Sequence, residues 1–483
     1  MPHNSRSFYS SIGLLVLLNA IIKPLWIFGI DRQVQNAVGT FDYGTYFSLY
    51  NLSLVLGFLL DWGFTGYFNR QVAARQTGFS ENAGSFLFVK FILIFLYAGF
   101  VLLVAQLSGI RDWDIVFGVI SIQVFSSLFL FFRAIITARQ WFDTDAWLSV
   151  LDKTLMIFFC GSLLLFPVIF GSMSIRKFLV VQAVCTAIAS TSAMIILTRR
   201  GVRLLASRTS VLLNRRLIVS VLPYAMIILL MSVHYRLDGF LLERLHDNGA
   251  YEAGIYAAAY RLLDAANMVG IIVSSFLLPY VARQYSEGSA FGAVILDIRH
   301  LLVVSAIVIA NVAIFLAPWI QQLLYHNTDA DMAQVLRLCL PALVGYSLVN
   351  VYGTVMTATG NIHAFCMLTL LCVIVNIVLN VLLIPTLGAK ACSIAALVSQ
   401  TLCGISTMLY VKMRLRVPVN TRSLIYYLLI GMFTAALLYW GNKEVDNKWI
   451  IITIAMIVTI VIAIGGKLFS PAIWRHSVNK SHL

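Results

Sequence analysis

The sequence predicts an all-α integral membrane protein with about fourteen transmembrane helices, on the grounds of composition and of hydropathy pattern. Of its 483 residues, 60% are apolar and 11% are charged, whereas a soluble domain carries roughly 25% charged residues. Apolar stretches of roughly 20 residues, long enough for a helix to cross the hydrocarbon core, recur along the whole chain. A segment in lipid must satisfy its own backbone hydrogen bonds, and the ~10-residue alternating strands of a membrane barrel do not occur, so helices are predicted.

The apolar stretches divide the chain into fourteen predicted helices. Their approximate bounds are 8–30, 40–65, 83–108, 113–137, 145–170, 174–198, 217–242, 252–279, 301–322, 334–358, 363–386, 390–412, 421–440 and 448–467. The first one follows a single basic residue and has no small-residue cleavage site, so we interpret it as a retained helix and not as a signal peptide. Pro24, Pro223 and Pro279 can kink the first, seventh and eighth helices, although Pro279 can also end its helix.

The loop charges predict the orientation of the chain. Segment 199–216 holds six arginines, which places this loop in the cytoplasm by the positive-inside rule. Both termini are then cytoplasmic, and Lys and Arg number 20 in the inner segments against 8 in the outer ones. The net charge of +14 is therefore explained by membrane topology, and no nucleic-acid partner is predicted.

An internal repeat relates two blocks of six helices, at 8–198 and 217–412. A glycine and two tyrosines recur after 210 residues, because Gly44, Tyr46 and Tyr50 match Gly254, Tyr256 and Tyr260. The repeat predicts an N-terminal lobe at 1–210, a C-terminal lobe at 211–415, and a last pair of helices with a cytoplasmic tail at 416–483. Because six is even, the lobes share one orientation, which is a transporter architecture with the substrate path between the halves.

Several motifs in the first, second, seventh and eighth helices resemble those of bacterial polysaccharide-export flippases. They are Lys23-Pro24-Leu25-Trp26-Ile27-Phe28-Gly29-Ile30-Asp31-Arg32, Leu60-Asp61-Trp62-Gly63-Phe64, Arg236-Leu237-Asp238 and Gly254-Ile255-Tyr256-Ala257-Ala258-Ala259-Tyr260-Arg261. The resemblance is to the Wzx-like branch (O-antigen and exopolysaccharide flippases) of the MOP exporter superfamily, which also holds MurJ and the MATE exporters. It implies two pseudo-symmetric six-helix lobes around a central cavity, and the two additional C-terminal helices resemble MurJ.

The resemblance also implies a function. A polyprenyl-pyrophosphate-linked oligosaccharide would be moved from the cytoplasmic to the periplasmic leaflet of the bacterial inner membrane by alternating access, for lipopolysaccharide, capsule or exopolysaccharide synthesis. The expected partners are this substrate, membrane lipids, and a coupling ion (H⁺ or Na⁺) or the membrane potential, with the protein a monomer. The sequence leaves the glycan, the polyprenyl carrier and the energy coupling open.

Two other functions compete with this one. A MATE-type, ion-coupled exporter of drugs and organic cations needs acidic residues deep in the lobes, and the third to sixth predicted helices offer only Asp152 as a buried acid. An enzyme of the same pathway needs clustered catalytic groups in a long outer loop, which the sequence lacks, and there is no Walker A sequence. We therefore predict no enzyme activity, catalytic residue, cofactor or metal site.

Charged residues inside membrane helices indicate functional sites because they are costly there. The deepest bases, Lys23, Arg236 and Arg261, are predicted to bind the pyrophosphate, which needs a concentrated positive field. Structural ion pairs are the alternative, since the i,i+3 spacing puts Asp264 on the face of Arg261. Lys90 and Lys153 are placed near inner helix ends, from which they can reach the interface. The predicted charge partners or gating residues are Asp31, Arg32, Asp61, Arg70, Asp238 and Asp264.

Overall fold

A computed structural model describes residues 5–63, 83–139, 141–202, 204, 215–326, 328–417, 422–466 and 468. These residues form helices and, within the described ranges, no strand. Fourteen of the helices, counted over the same ranges, are long and apolar enough to cross a membrane. The predicted all-α membrane fold with fourteen spans is confirmed.

We number the fourteen spans α1 to α14. The bounds are α1 Ser5–Pro24 with Leu25–Asp31 and Arg32–Val38; α2 Thr40–Leu56 with Phe58–Asp61; α3 Ala83–Leu107; α4 Trp113–Ala138; α5 Phe142–Leu165, followed by a one-turn helix at Pro167–Phe170; α6 Ile175–Arg199; α7 Arg215–Leu245; α8 Gly249–Ser286; α9 Gly292–Leu324; α10 Ala330–Cys339 with Ala342–Ala358; α11 Ile362–Leu387; α12 Ala389–Arg414; α13 Arg422–Glu444; and α14 Lys448–Gly465.

Proline shapes α1 in a way that the sequence predicted only as a kink. Pro24 ends the first α-helical part and is followed by seven π-helical residues, Leu25–Asp31. Proline has no backbone N–H to donate to the preceding turn, so the hydrogen-bond register shifts there and not elsewhere in the helix. In α8 the helix continues past Pro279 to Ser286, so this proline does not end its helix.

The chain contacts separate two compact units, Met1–Ala257 and Ala258–Leu483. In the first unit α1 packs on α5, α2 on α7 and α4 on α6. Glycine allows the close approach in two of these contacts. A Cβ at Gly239 would lie 2.8 Å from the Phe47 ring, and one at Gly118 would lie 3.1 Å from Leu179. The unit boundary falls inside α8, and the two lobes with a last helix pair, as drawn from the repeat, stay a prediction.

In the second unit α10 packs on α12, α11 on α12, α9 on α13, and α13 on α14. A Cβ at Gly345 would lie 2.5 Å from the carbonyl carbon of Gln400, so α10 and α12 approach at the level of the backbone. Asn311 of α9 donates from Nδ2 to Gly431 O at 2.9 Å and to Thr434 Oγ1 at 2.6 Å. The helices α13 and α14 lie outside the sequence repeat, and these hydrogen bonds join α13 to α9.

Candidate functional site

Lys23 lies where the α-helical part of α1 meets the π-helical turn, and it is half-buried. One turn earlier Asn19 Nδ2 donates to Ser149 Oγ at 2.7 Å, which fixes this part of α1 against α5. The Lys23 ammonium is close enough to Arg133, Asp152 and Lys153 for their charges to interact. Among the described residues, however, Lys23 makes no hydrogen bond and no ion pair.

Lys153 faces α1, where it contacts Trp26. It forms an ion pair with Asp152 at 3.2 Å, and its Nζ lies 5.4 Å from the centroid of the Trp26 ring. The sequence placed Lys153 near the start of a helix at 145–170, but α5 runs from Phe142 to Leu165. Lys153 is thus close to the middle of its helix, and its predicted position near the helix end was wrong.

Two buried carboxylates bind tyrosine hydroxyls of the next helix. Tyr43 of α2 donates to Asp31 Oδ2 at 2.9 Å, and Tyr256 of α8 donates to Asp238 Oδ2 at 3.2 Å. Asp31 is 2% exposed and Asp238 is 1% exposed. The hydroxyl groups stabilise both carboxylates, because a buried charge needs hydrogen-bond partners. The same kind of contact therefore occurs in the first helix pair of each repeat.

Gly44 and Gly254, which the repeat aligns with each other, lie in contact inside the first unit. A Cβ at Gly44 would overlap the carbonyl oxygen of Ala250 and lie 2.6 Å from Gly254 N. A Cβ at Gly254 would overlap the carbonyl oxygen of Thr40. Gln35 Nε2 also donates to Gly254 O, at 2.9 Å. Only glycine permits backbones to approach so closely at both positions.

A cavity of about 460 Å³ lies within the first unit, between α2, α3, α4, α5 and α7. Its polar lining holds two ion pairs, an amide and three hydroxyls, from Asp61, Lys90, Gln123, Ser126, Ser127, Arg133, Thr137 and Asp145. Arg133 meets Asp145 with two hydrogen bonds, at 2.8 and 3.1 Å. Lys90 Nζ lies 3.8 Å from Asp61 Oδ1, which is longer than a hydrogen bond.

Comparisons with solved structures agree on one architecture. The structure is similar to that of the lipid II flippase MurJ in an inward closed conformation, with a TM-score of 0.70 and 13% identity over 96% of this chain and 99% of that chain. The chain has the fold of MurJ and the MATE transporters. A MOP transporter from Pyrococcus furiosus (TM-score 0.58, 15% identity, 85% of this chain and 93% of that chain) and a Vibrio cholerae MATE transporter (0.57, 16%, 85% and 98%) are also similar. No family model and no curated protein matches the sequence.

The other predicted site residues differ in burial and in the unit to which they belong. Arg32, Arg236, Arg261 and Asp264 are half-buried, and Arg70 lies outside the described residues. Lys23 and Arg236 belong to the first unit and Arg261 to the second, so the predicted convergence of these three bases on one phosphate stays a prediction. Of the predicted charge partners, Asp61 is placed in the cavity, beside Lys90.

Two buried charges were misassigned from the sequence. Arg299 lies outside the predicted helix at 301–322, but it is inside α9. Arg299 is 2% exposed and donates to the Tyr352 hydroxyl at 3.3 Å. Asp145 is a buried acid in α5, so the expectation that Asp152 is the only acid buried in the third to sixth helices was wrong. The predicted helix at 301–322 began after the observed start at Gly292, and Asp145 was the first residue of the predicted helix at 145–170, whereas α5 begins at Phe142. Both errors come from helix starts that were placed too late.

The ion pair between Arg133 and Asp145 in the cavity wall is expected to stabilise the protein. Replacing Asp145 with alanine leaves the Arg133 guanidinium without its carboxylate, and we expect the protein to lose about 3 kcal/mol of stability, the lower end of the range for buried pairs. The Arg133 side chain is 19% exposed, which is why the lower end applies. Thermal unfolding of the purified protein in detergent measures the loss. Asp114→Ala, in an exposed pair with Arg176 at 3.2 Å, is the matched control and should cost under about 1 kcal/mol; equal losses would contradict the prediction.

The described residues contain no group of three or more His, Cys, Asp or Glu side chains that could hold a metal ion.

Proposed function

We propose that this MOP-type membrane protein is a flippase for a polyprenyl-pyrophosphate-linked oligosaccharide, which it moves from the cytoplasmic to the periplasmic leaflet of a bacterial inner membrane. The observation that supports this most is the state of Lys23. It is half-buried between helices of the first unit and has no ion pair among the described residues. Burying an ammonium group at such a position costs free energy unless a ligand supplies a negative charge. A diphosphate supplies more than one negative charge.

The acids of the first unit support an anionic cargo over a cationic one. Asp61, Asp145 and Asp152 each lie in an ion pair with a Lys or Arg, and Asp31 and Asp238 accept tyrosine hydroxyls. A MATE-type exporter of organic cations needs a carboxylate whose charge is not already neutralised by a Lys or Arg side chain. The surroundings of these five acids do not favour that alternative, although the fold is compatible with it.

Arg236 and Arg261 complete the proposed phosphate site. Both are half-buried in α7 and α8, helices that carry the repeat. A guanidinium presents a planar fork that matches two phosphate oxygens, whereas the ammonium of Lys23 acts as a point charge. In the proposed cycle the three bases hold the diphosphate while the two lobes open first to the inner and then to the outer leaflet.

The membrane potential can contribute to the direction of transport. The potential across a bacterial inner membrane is positive outside, so the field favours outward movement of an anion by ~2.3 kcal/mol per charge per 100 mV. A proton or Na⁺ can add to this driving force.

A leaflet assay tests the proposal. Deletion of the gene in its native host is expected to trap the lipid-linked oligosaccharide on the cytoplasmic leaflet, where an impermeant glycan-oxidising reagent reaches it only in inverted vesicles. The wild-type gene should move the oligosaccharide to the outer leaflet, where the reagent no longer reaches it in inverted vesicles. At equal protein levels, Arg261→Ala should not restore this protection. Absence of accumulation in a host without a second flippase would refute the function.

A further inference from the structure

We infer that the cavity of the first unit is a binding site for neutral sugar, and that it holds the sugar next to the diphosphate of the cargo. The inference rests on the proposed function for the identity of the cargo. The class of ligand, a neutral sugar, is inferred from the geometry of the cavity alone. With about 460 Å³, the cavity falls in the ~300–1,000 Å³ range of small-molecule sites.

The charges in the cavity wall cancel each other. Arg133 is neutralised by Asp145 through two hydrogen bonds, and Lys90 lies beside Asp61. A diphosphate entering the cavity would approach two carboxylates, and an organic cation would approach two bases. Neither finds an excess of opposite charge, and each loses its hydration on entry, so a neutral ligand is favoured.

The hydrogen-bonding groups in the wall are those that a sugar needs. The hydroxyls of Ser126 and Ser127 line the cavity and make no hydrogen bond with the described residues. Lys90 retains donors because Asp61 is 3.8 Å away. A sugar hydroxyl both donates and accepts, so it can bind a serine hydroxyl, an ammonium group and a carboxylate in the same wall. A purely apolar ligand would leave these groups buried and unsatisfied.

The cavity lining also contains apolar side chains, which suit the C–H faces of a sugar ring. They are Leu54, Leu60, Leu130 and Ile228. A sugar ring has both polar and apolar surface, so it can use both kinds of lining group. Specific small-molecule sites combine a largely apolar lining with a few placed polar groups in the same way.

The cavity is next to the proposed phosphate site. Asp145 of the cavity wall lies one turn before Ser149 on α5, and Ser149 accepts a hydrogen bond from Asn19, one turn before Lys23 on α1. The charge of Arg133, which is also in the wall, interacts with that of Lys23. In the proposed cargo the first sugar is bonded directly to the diphosphate, so a diphosphate held at Lys23 would keep that sugar near the cavity.

Equilibrium binding to the purified full-length protein in lipid nanodiscs tests the inference without any transport step. The probes are radiolabelled methyl glycosides of glucose, galactose, mannose and N-acetylglucosamine, with inorganic pyrophosphate and tetraphenylphosphonium as charged probes. We expect saturable binding of at least one glycoside. Ser127→Ala and Gln123→Leu should each weaken it about 2- to 10-fold, the effect of one neutral hydrogen bond, and leave pyrophosphate binding unchanged.

The controls separate the cavity from general effects. Ser162→Ala on α5, whose hydroxyl bonds its own helix at Phe158 O, and Gln106→Leu at an exposed position of α3 should leave glycoside binding unchanged. If no glycoside binds, the cavity holds water only and the inference is wrong. If the cavity variants weaken pyrophosphate or tetraphenylphosphonium binding instead, the cavity takes a charged ligand and the inference is wrong as well.

The leaflet assay fails or succeeds separately. Glycoside binding without trapped lipid-linked oligosaccharide in the deletion strain would retain the sugar site and refute the flippase. Trapped oligosaccharide without glycoside binding would retain the flippase and refute the sugar site.

Discussion

Lys23→Ala is expected to abolish export while leaving the protein as stable as the wild type, or more so. The loss of export follows from the loss of a charged contact to the diphosphate, which removes about 2–5 kcal/mol of binding and weakens it roughly 30-fold or more. Stability is not expected to fall, because no described carboxylate loses its ion-pair partner: Asp152 still has Lys153. Repulsion of Lys23 by Arg133 and Lys153 is removed at the same time, which offsets the lost attraction to Asp152.

Two further variants make this prediction specific. Lys23→Arg keeps the charge and is expected to restore most of the export. Lys412→Ala removes an exposed lysine in the last turn of α12 and should alter neither property. Export is read from the leaflet assay in complemented cells, and stability from thermal unfolding of each purified variant. A Lys23→Ala protein that unfolds at a clearly lower temperature would show that the lysine has a structural role.

The sequence predicted the number of spans and the helical class because both depend on composition averaged over about 20 residues. A helix end that moves by three residues, as at Phe142, does not change either result. It does change the place of single charges. Lys153 moves from a helix end to a helix centre, and Asp145 becomes a buried acid.

The partners of these charges could not be read from one sequence. Arg133 and Asp145 are on neighbouring helices, separated by twelve residues and a turn, and their contact depends on helix rotation and tilt. Tertiary packing fixes both of these, and hydropathy is insensitive to them. The pairing of Asp31 with Tyr43 and of Asp238 with Tyr256 likewise joins side chains on different helices, so their spacing in the sequence does not predict the contact.

The repeat, in contrast, predicted an equivalence and not a contact. It aligned Gly44 with Gly254, and the structure shows that these two glycines touch. A repeat identified from sequence does not say which of its matched residues touch, so the contact itself required the structure.

Gly254→Leu is accordingly expected to have the largest effect on stability of any single substitution considered for this protein. An added Cβ overlaps the Thr40 carbonyl oxygen, and a backbone group cannot turn aside as a side chain can. Inserting atoms into a packed site costs about 1–3 kcal/mol, and backbone contact puts this site at or above the upper value. Thermal unfolding in detergent measures the cost, and Gly44→Leu should have a similar effect from the other side of the contact.

Gly99→Leu is the matched control, since a Cβ at this exposed glycine of α3 meets nothing within 4 Å. It should leave stability unchanged or raise it, because leucine favours the helix more than glycine does. Loss of export in Gly254→Leu and Gly44→Leu, with export retained in Gly99→Leu, would show that transport needs the close approach of α2 and α8. If Gly254→Leu unfolded at the temperature of Gly99→Leu, the two backbones would have room to separate, and the contact would not be a constraint on the first unit.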